Sequence, residues 1–270
     1  MIQQSVDGVS FALKEEHNFR WLKKHGRVFK VWDEQDSGNL CFGVERNGVR
    51  RFIKYAGAKP LKFIGNPEDA VARLEKAKLR YEFMKHANLV RLVHHEKVGD
   101  GYMLEFDWIE GVSLRKYSFE TLPLHERLHM LTNIFTFHEH VEKKQFVAVD
   151  FYDASMIYDE SSQTLKVCDI DLYEKIPYTN EMDRLWGSSR FMAPEEFQIG
   201  EELDARTNVY RMGATAFVLL GKDQSLAESP IHKVAKRAMS KRKEDRFQTV
   251  KAFHDIWKQA VDVSMEVRGY

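Results

Sequence analysis

The sequence predicts an α+β fold in which a strand-rich part precedes a helix-rich part. Residues 39–56 contain two apolar stretches joined by Asn47-Gly48, a dipeptide that favours the tight turn of a β-hairpin. Residues 66–86 show helical periodicity, and four further helical patterns follow Gly111. Because the strand and helix signals are segregated along the chain, we expect a β-rich unit followed by a mainly α-helical unit.

Composition restricts the class of protein. The 270 residues are 43% apolar, which is enough for one sizeable core or two modest ones. The 41 basic and 41 acidic residues cancel, so no net field attracts nucleic acid or an anionic membrane. No apolar run reaches the roughly 18 residues that cross a bilayer. With only Cys41 and Cys168, no disulfide framework is indicated, and we expect a cytoplasmic protein without nucleic-acid or membrane partners.

The separate elements have local signals. Before the first helix, Asn66 is a candidate N-cap and Pro67 occupies the first helical position. A second strand pair is expected at 89–98 and 102–108. The four later helical patterns cover residues 123–144, 208–221, 230–243 and 248–262.

Two aspartates stand out because each follows a short apolar, strand-like run. Asp150 and Asp169 are separated by another such run, so we expect the two carboxylates to converge. Mg²⁺ is held in proteins by one or two carboxylates together with substrate phosphates, an arrangement that suits phosphoryl transfer. Taken alone, Asp150 is better explained by a turn between strands, and the alternative for Lys54 is a surface position on the polar face of the hairpin.

A series of ordered motifs extends this interpretation. The chain contains, in order, Lys54, LEFDWIEGVSL, VDFYDAS, CDID, GSSRFMAPEE, NVYRMG and KEDRF. From about residue 28 to residue 260 it resembles the protein kinase superfamily of eukaryotic-like Ser/Thr type, and FMAPEE is the most specific segment. The resemblance implies a two-lobed kinase-like fold with nucleotide in the cleft. Residues 1–27 would be an N-terminal extension, 28–108 the N-lobe and 109–270 the C-lobe.

The resemblance also implies catalytic roles. Lys54 would hold the α and β phosphates of ATP, and Asp150 would orient the accepting hydroxyl. Asp169 would bind Mg²⁺ or Mn²⁺, with Ser155 as a weaker second ligand. The implied nucleotide contacts are Gly38, Leu40, Phe52, Lys54, the gatekeeper Phe106, the backbone of Asp107 and Ile109, and Ile157.

Three further residues have implied structural roles. Glu195 and Arg246 would form a buried ion pair that ties the activation segment to the C-lobe. Counting along the predicted helix places the acid that would pair with Lys54 near Ala77, and the nearest acid is Glu75. An exposed helical glutamate is the alternative interpretation of Glu75.

Several positions depart from the family pattern. Ala148-Val149 replaces the His-Arg pair before Asp150, and Asn208 stands where the family has an aspartate. Other substitutions are Tyr152 for a lysine, Ser155 for the metal-binding asparagine, and Asp169-Ile170-Asp171 for Asp-Phe-Gly. Of the glycine-rich loop only Gly38 remains, with Asp33 and Gln35 at the earlier glycine positions. Phe52 replaces a small residue and would either narrow the adenine site or stack on the base.

Two functions follow from these residues. The first is ATP-dependent phosphoryl transfer to Ser or Thr of a protein substrate, because Lys54, Asp150 and Asp169 are all present. The alternative is a pseudokinase that binds nucleotide or a regulatory protein partner without turnover, which Phe52 and Ser155 favour.

Overall fold

The computed structural model describes residues 1–118, 121–221 and 226–266. Within these residues the chain is α+β, with a β-sheet-rich region and five α-helices. It divides into two compact units. The first unit comprises Met1–Lys85 and Val90–Ile109, and the second comprises His86–Leu89 and the chain from Glu110 onward. None of the helices in the described ranges is long and apolar enough to cross a membrane.

The first unit is built on an antiparallel sheet. Its strands are β1 (Ile2–Val6), β2 (Val9–Leu13), β3 (Arg27–Trp32), β4 (Asn39–Arg46), β5 (Val49–Ala56), β6 (Leu92–Val98) and β7 (Gly101–Asp107). Five of them form one sheet in the order β3-β4-β5-β7-β6, while β1 and β2 form a separate hairpin. Asn47 and Gly48 join β4 to β5 with φ angles of 54° and 76°, the positive pair that a tight hairpin turn requires. The predicted hairpin is therefore confirmed.

One helix lies on the sheet of the first unit. This helix, α1 (Pro67–Phe83), begins where the sequence predicts, because the Asn66 side chain accepts a hydrogen bond from the Glu68 amide. Leu74, Ala77 and Tyr81 are buried on one side of α1. The Tyr81 ring packs edge-on against Phe106 of β7 at 4.8 Å between centroids, which fixes α1 over that face of the sheet.

The opposite face of the sheet is covered by the first 27 residues. Successive strand side chains alternate between the two faces, so Leu40, Phe42 and Val44 point together to the side away from α1. There they are buried in one cluster with side chains from residues 1–27, namely Phe11, Leu13, Phe19 and Leu22. Residues 1–27 thus contribute to the core of the first unit.

The second unit is mainly helical. Its helices are α2 (Leu124–Lys143), α3 (Ala205–Leu220), α4 (Pro230–Ala238) and α5 (Val250–Glu266). All four later helices predicted from the sequence are present. Helix α3 contacts α2, α4 and α5. The approach of α3 to α4 depends on Gly213, because a side chain there would come within 2.9 Å of the Ala235 carbonyl oxygen.

Short strands of the second unit position its loops. They are β8 (Val112–Ser113), β9 (Phe146–Val147), β10 (Met156–Asp159), β11 (Thr164–Val167), β12 (Glu174–Lys175), β13 (Tyr178–Thr179) and β14 (Glu202–Leu203). Strands β11, β10 and β8 form a small sheet, β12 pairs with β9, and β13 pairs with β14. The loop after β9 contains Asp150, and Asp169 follows the end of β11.

Candidate active site

The loop between β9 and β10 carries Asp150 with an unusual backbone conformation. Its φ angle is 61°, in the left-handed region that residues other than glycine rarely adopt. Such a conformation costs free energy and persists where the surroundings hold it, which is typical of functional sites. Gly187 lies beside the half-buried Asp150, since a side chain added to Gly187 would reach within 3.6 Å of Asp150 Oδ1. The structure therefore brings the first residue of GSSRFMAPEE next to the predicted catalytic carboxylate.

Two side chains of α3 hold this loop on both sides of Asp150. Asn208 donates from Nδ2 to the Phe146 carbonyl and accepts at Oδ1 from the Ala148 amide, both at 2.8 Å. Arg211, one helical turn further on, donates from Nη1 to the Phe151 carbonyl at 2.8 Å. The backbone is thus anchored before and after the strained residue. An asparagine can serve here because its amide both donates and accepts.

Arg211 also joins the loop to the segment that follows FMAP. Its Nη2 donates to Glu196 Oε1, and both side chains are fully buried. The other oxygen of Glu196, Oε2, accepts from the Ala193 amide at 2.7 Å. This ion pair was not predicted from the sequence. The signal was an arginine inside the apolar helical run NVYRMGATAFVLL, where a buried charge requires a partner.

Ser155, the predicted second metal ligand, braces the same loop. The residue is buried, and its hydroxyl donates to the Asp150 carbonyl at 3.3 Å and accepts from the Tyr152 amide at 3.4 Å. These bonds close the loop that contains Asp150. The hydroxyl oxygen has two lone pairs, and the Tyr152 amide already uses one of them, so less of this oxygen is available to a metal ion.

Asp169, the predicted metal ligand, is exposed immediately after β11. Its Oδ1 accepts from the Asp171 amide at 3.4 Å, while the side chain of Ile170 between them is buried. An exposed carboxylate is a suitable ligand for Mg²⁺, which retains several waters and is completed by phosphate oxygens. Within residues 1–118, 121–221 and 226–266, no group of three or more His, Cys, Asp and Glu side chains is arranged to hold a metal ion.

A buried histidine anchors the segment that begins at Asp169. His138 of α2 lies 2.8 Å through Nδ1 from the Ile134 carbonyl and 3.0 Å through Nε2 from the Tyr173 hydroxyl. Burial lowers the pKa of His138 to about 3, so the ring is neutral at physiological pH. Its Nδ1–H therefore donates to Ile134, and its Nε2 accepts from Tyr173. This hydrogen bond attaches the start of the segment to α2.

The ion pair that the resemblance implies between Glu195 and Arg246 is present and buried. Arg246 donates from Nη1 to Oε1 and from Nη2 to Oε2, at 2.8 and 2.9 Å. Thr207 of α3 adds a hydrogen bond to Oε1 at 2.8 Å. Burial alone would raise the pKa of Glu195, but the hydrogen bonds and charge of Arg246 hold it below its usual value.

In the first unit, Lys54 shares one face of the sheet with an aromatic layer. Lys54 is buried on β5, and Phe52 lies two residues earlier on the same face. Phe106 stands opposite Phe52 on β7. The half-buried Phe52 ring is 5.5 Å from Trp32 and 6.4 Å from Phe106 between centroids. We call Phe29, Trp32, Phe52, Phe106 and Trp108 the aromatic layer, because Trp108 extends it by contacts with Phe29 and Trp32.

The structure corrects the expected nucleotide contact of Leu40. Leu40 pairs with Tyr55 and is buried in the core on the opposite face from Lys54 and Phe52. Its neighbour Cys41 stands opposite Lys54 and therefore shares the face of the aromatic layer. The reason is the two-residue period of a strand, in which a shift of one position moves a side chain to the other face.

Gly38, the remaining glycine of the loop, has a packing role. Its φ angle is 87°, and a side chain there would approach the Ala70 Cβ to 2.8 Å and the Phe63 ring to 2.9 Å. Glycine is therefore required by neighbouring protein atoms. Upstream in the same loop, the Asp33 carboxylate accepts from the Ala12 amide at 2.8 Å. These contacts indicate that other residues of the first unit hold the loop in place. They are less consistent with a loop whose backbone amides surround a phosphate.

The other predicted residues occupy varied surroundings. Glu75 is exposed on α1, one position away from the buried Leu74. Because Lys54 is buried, the exposed position of Glu75 does not match that expected for a partner of Lys54. The Asp107 amide donates to the Arg91 carbonyl at 3.1 Å, so Asp107 would meet a base through its carbonyl. Ile109 is half-buried in the first unit, and Ile157 is half-buried on β10 of the second.

One protein family matches most of the chain. Residues 70–268 match the protein kinase domain model. The match begins within α1, so it includes Asp150, Asp169 and Glu195 but not Lys54 or Gly38.

Two relatives align with part of the chain. The receptor-like kinase LIP1 of Arabidopsis thaliana is 29% identical over a 169-residue alignment, which covers 58% of this chain and 26% of that protein. The serine/threonine-protein kinase PrkC of Bacillus subtilis is 23% identical over a 167-residue alignment, which covers 60% of this chain and 26% of that protein. The alignments thus span about a quarter of each relative. Since the domain model covers most of the sequence, the chain belongs to the protein kinase domain family.

Proposed function

We propose that this protein is an ATP-dependent protein kinase that phosphorylates Ser or Thr of a protein substrate. The observation that carries the proposal is the anchored loop of the second unit. Asn208 and Arg211 hold Asp150 in a strained conformation on both sides, beside Gly187. Strain that several contacts maintain at an acidic residue is typical of a catalytic position.

Each polar residue has a proposed task in the transfer. Asp150 accepts the proton of the substrate hydroxyl and orients that oxygen, Asp169 binds Mg²⁺ or Mn²⁺, and Lys54 contacts the phosphates. Bound ATP would supply the phosphoryl group, and its metal ion would neutralise the charge that develops on that group. Ser155 contributes mainly by bracing the loop, because its hydroxyl is directed to the Asp150 carbonyl.

A protein substrate is supported by the segment GSSRFMAPEE. Its first residue lies beside Asp150, and its last two residues are anchored by Arg246 and Arg211. A segment held in this way offers a rigid surface for an extended peptide. The similarity to a serine/threonine-protein kinase supports Ser or Thr as the acceptor.

A pseudokinase is the second candidate, and the aromatic layer favours it. Phe52 and Trp32 bring two large rings to the face that carries Lys54, and Gly38 is explained by packing. The exposed carboxylate of Asp169 is suitable for binding a metal ion. The surroundings of Gly38, by contrast, do not indicate a phosphate-binding loop. In this alternative the protein binds a nucleotide or a regulatory partner without turnover.

Labelled ATP distinguishes the two candidates. Purified protein is incubated with γ-labelled ATP, Mg²⁺ or Mn²⁺, and dephosphorylated casein, beside an Asp150→Asn variant prepared identically. A kinase labels casein or itself, and Asp150→Asn reduces the label by about 10²-fold or more. Equal labelling by both proteins would indicate a contaminating kinase. A lack of labelling with either metal would favour the pseudokinase.

A further inference from the structure

We infer that Arg211 is a positioning residue for phosphoryl transfer, which couples the loop of Asp150 to the segment 184–197 without a phosphate group. The inference rests on the proposed function. Arg211 would act by holding the catalytic loop in place. It would not itself contact the substrate hydroxyl or the transferred phosphoryl group.

The loop has no cation of its own immediately before Asp150. Val149 occupies that position and is buried in an apolar cluster with Leu185, Met192 and Leu203. An apolar side chain there cannot bind a phosphate on the segment that follows Asp169. One ion pair joins the two parts directly, between the largely exposed Arg190 of the segment and the buried Asp153 of the loop, at 2.6 Å. A second cation, which is fully buried, comes from another element.

Arg211 supplies that charge from α3. One guanidinium donates from Nη1 to the Phe151 carbonyl, directly after Asp150, and from Nη2 to Glu196, directly after Glu195. By contrast, the contacts described for Asn208 are to the loop, and those of Arg246 include Glu195 but not the loop. Among the described contacts of side chains outside both parts, those of Arg211 therefore reach the loop and the segment together.

The counterion of Arg211 is built into the fold. Glu196 is fully buried, and its second oxygen is satisfied by the Ala193 amide. A buried guanidinium that is already neutralised by a carboxylate does not need a phosphate to hold it in place. The coupling is therefore permanent, in contrast to one that is created by phosphorylation.

The surroundings of β13, which lies between Asp169 and the segment 184–197, disfavour an added phosphate there. Its hydroxyl residues Tyr178 and Thr179 are paired with Leu203 and Glu202. Burial raises the pKa of Tyr178, and the charges of Glu174 and Glu181 raise it further. A phosphate on β13 would meet carboxylates, and like charges repel each other.

The geometry requires an arginine. Its planar guanidinium reaches two acceptors in different segments with two separate nitrogens, whereas a lysine presents a single ammonium. We therefore expect Arg211→Lys to restore the charge but not the double contact.

The main test uses Arg211→Met combined with Glu196→Gln. This pair removes both charges together, and glutamine retains an acceptor for the Ala193 amide. We expect kcat for casein phosphorylation to fall about 100-fold, because a displacement of about 1 Å in a catalytic group has an effect of this size. The KM for ATP should stay unchanged. Arg211→Lys should recover only part of the lost kcat.

Arg127→Met is the matched control. Arg127 is another buried arginine of the second unit, and it donates to the Leu220 carbonyl at the end of α3. Its removal should lower the melting temperature and leave kcat unchanged. If the paired variant keeps the wild-type kcat, Arg211 has only a structural role and the inference is wrong.

Two measurements separate this inference from the proposed function. Phosphatase treatment of the wild type should leave its rate unchanged, and a loss of rate would contradict coupling without phosphate. Hydrogen exchange of peptides covering 147–155 should accelerate in the paired variant, while those of α2 stay protected. Unchanged exchange in the loop would overturn the inference. A wild type without phosphotransfer would contradict the proposed function, and the exchange data would still decide whether Arg211 holds the loop.

Discussion

Arg246 and Glu195 form a bidentate ion pair inside the second unit, with N–O distances of 2.8 and 2.9 Å. Arg246 also donates to the carbonyls of Ser240 and Lys241 at 2.8 and 3.1 Å. The pair therefore connects the segment after FMAP with the chain between α4 and α5. Both charges are removed from water, so each depends on the other for stabilisation.

Arg246→Ala should lower the free energy of unfolding by about 3 to 5 kcal/mol, because it leaves the Glu195 carboxylate buried without its partner. Urea denaturation measures the loss. Arg242→Ala is the control, since Arg242 is largely exposed and its nearest carboxylates are 3.5 and 3.8 Å away. That change should cost less than about 1 kcal/mol. Equal losses in the two variants would contradict the structural role of the buried pair.

His138 should make the protein sensitive to mild acid. Its pKa is about 3 in the folded state because of burial, whereas the ordinary pKa of a histidine is 6.5. Between these values the unfolded chain binds a proton that the folded chain does not, so stability falls as the pH decreases below about 6.5. The contribution is fully present above that pH. His138→Gln should remove a slope of up to about 1.4 kcal/mol per pH unit from the free energy of unfolding.

Urea titrations at a series of pH values from 7 to 5 test this dependence. Tyr173→Phe is the control, because it removes a hydrogen-bond partner of His138 but retains the burial that dominates the shift. That variant should keep the wild-type slope. Identical slopes in the wild type and His138→Gln would show that another group is responsible.

Phe52→Ala should raise the affinity for ATP several-fold. The ring is packed with Trp32 and Phe106 on the face of Lys54, and a small residue would free space beside that lysine. Calorimetric titration with ATP measures the change. A fall in affinity would instead mean that the ring stacks on the base, a contact of about 1 kcal/mol. Unchanged affinity would mean that Phe52 does not contact the nucleotide.

Asp169→Ala should abolish the metal-dependent part of ATP binding, because the exposed carboxylate of Asp169 is the proposed ligand of the metal. Thermal-shift titrations with ATP, in the presence and absence of Mg²⁺ or Mn²⁺, measure this part. Asp159→Asn is the control, since Asp159 is another acid close to the end of a short strand, but its carboxylate accepts hydrogen bonds from Ser161 and Ser162. A metal-dependent shift that persists in Asp169→Ala would exclude Asp169 as the ligand.

The elements with local signals were predictable from the sequence. The hairpin of β4 and β5 follows from Asn47-Gly48, which accepts two positive φ angles, and α1 follows from the cap at Asn66. The order of the motifs also identified the family. These features depend on residues that are close in the chain, or on short motifs that can be read directly.

The face of the sheet to which a strand side chain points was less predictable. Leu40 and Cys41 are adjacent in sequence, yet Leu40 is buried against residues 1–27 and Cys41 lies on the opposite face of the sheet, which carries the aromatic layer. Their orientation depends on the register of β4 against β5, and an error of one position reverses it. The sequence also did not indicate that residues 1–27 pack on this sheet, because their partners are distant in the chain.

By itself, the sequence determined the α+β order, the hairpin, the helices and the family motifs that include Asp150 and Asp169. Only the tertiary structure decided how Asp150 is held, through Asn208 and Arg211 of α3. Their contacts join residues about 60 positions apart, and local propensity carries no information about such pairs. A buried arginine in an apolar helix indicates that a partner exists, but only packing selects Glu196 and the Phe151 carbonyl from the available acceptors.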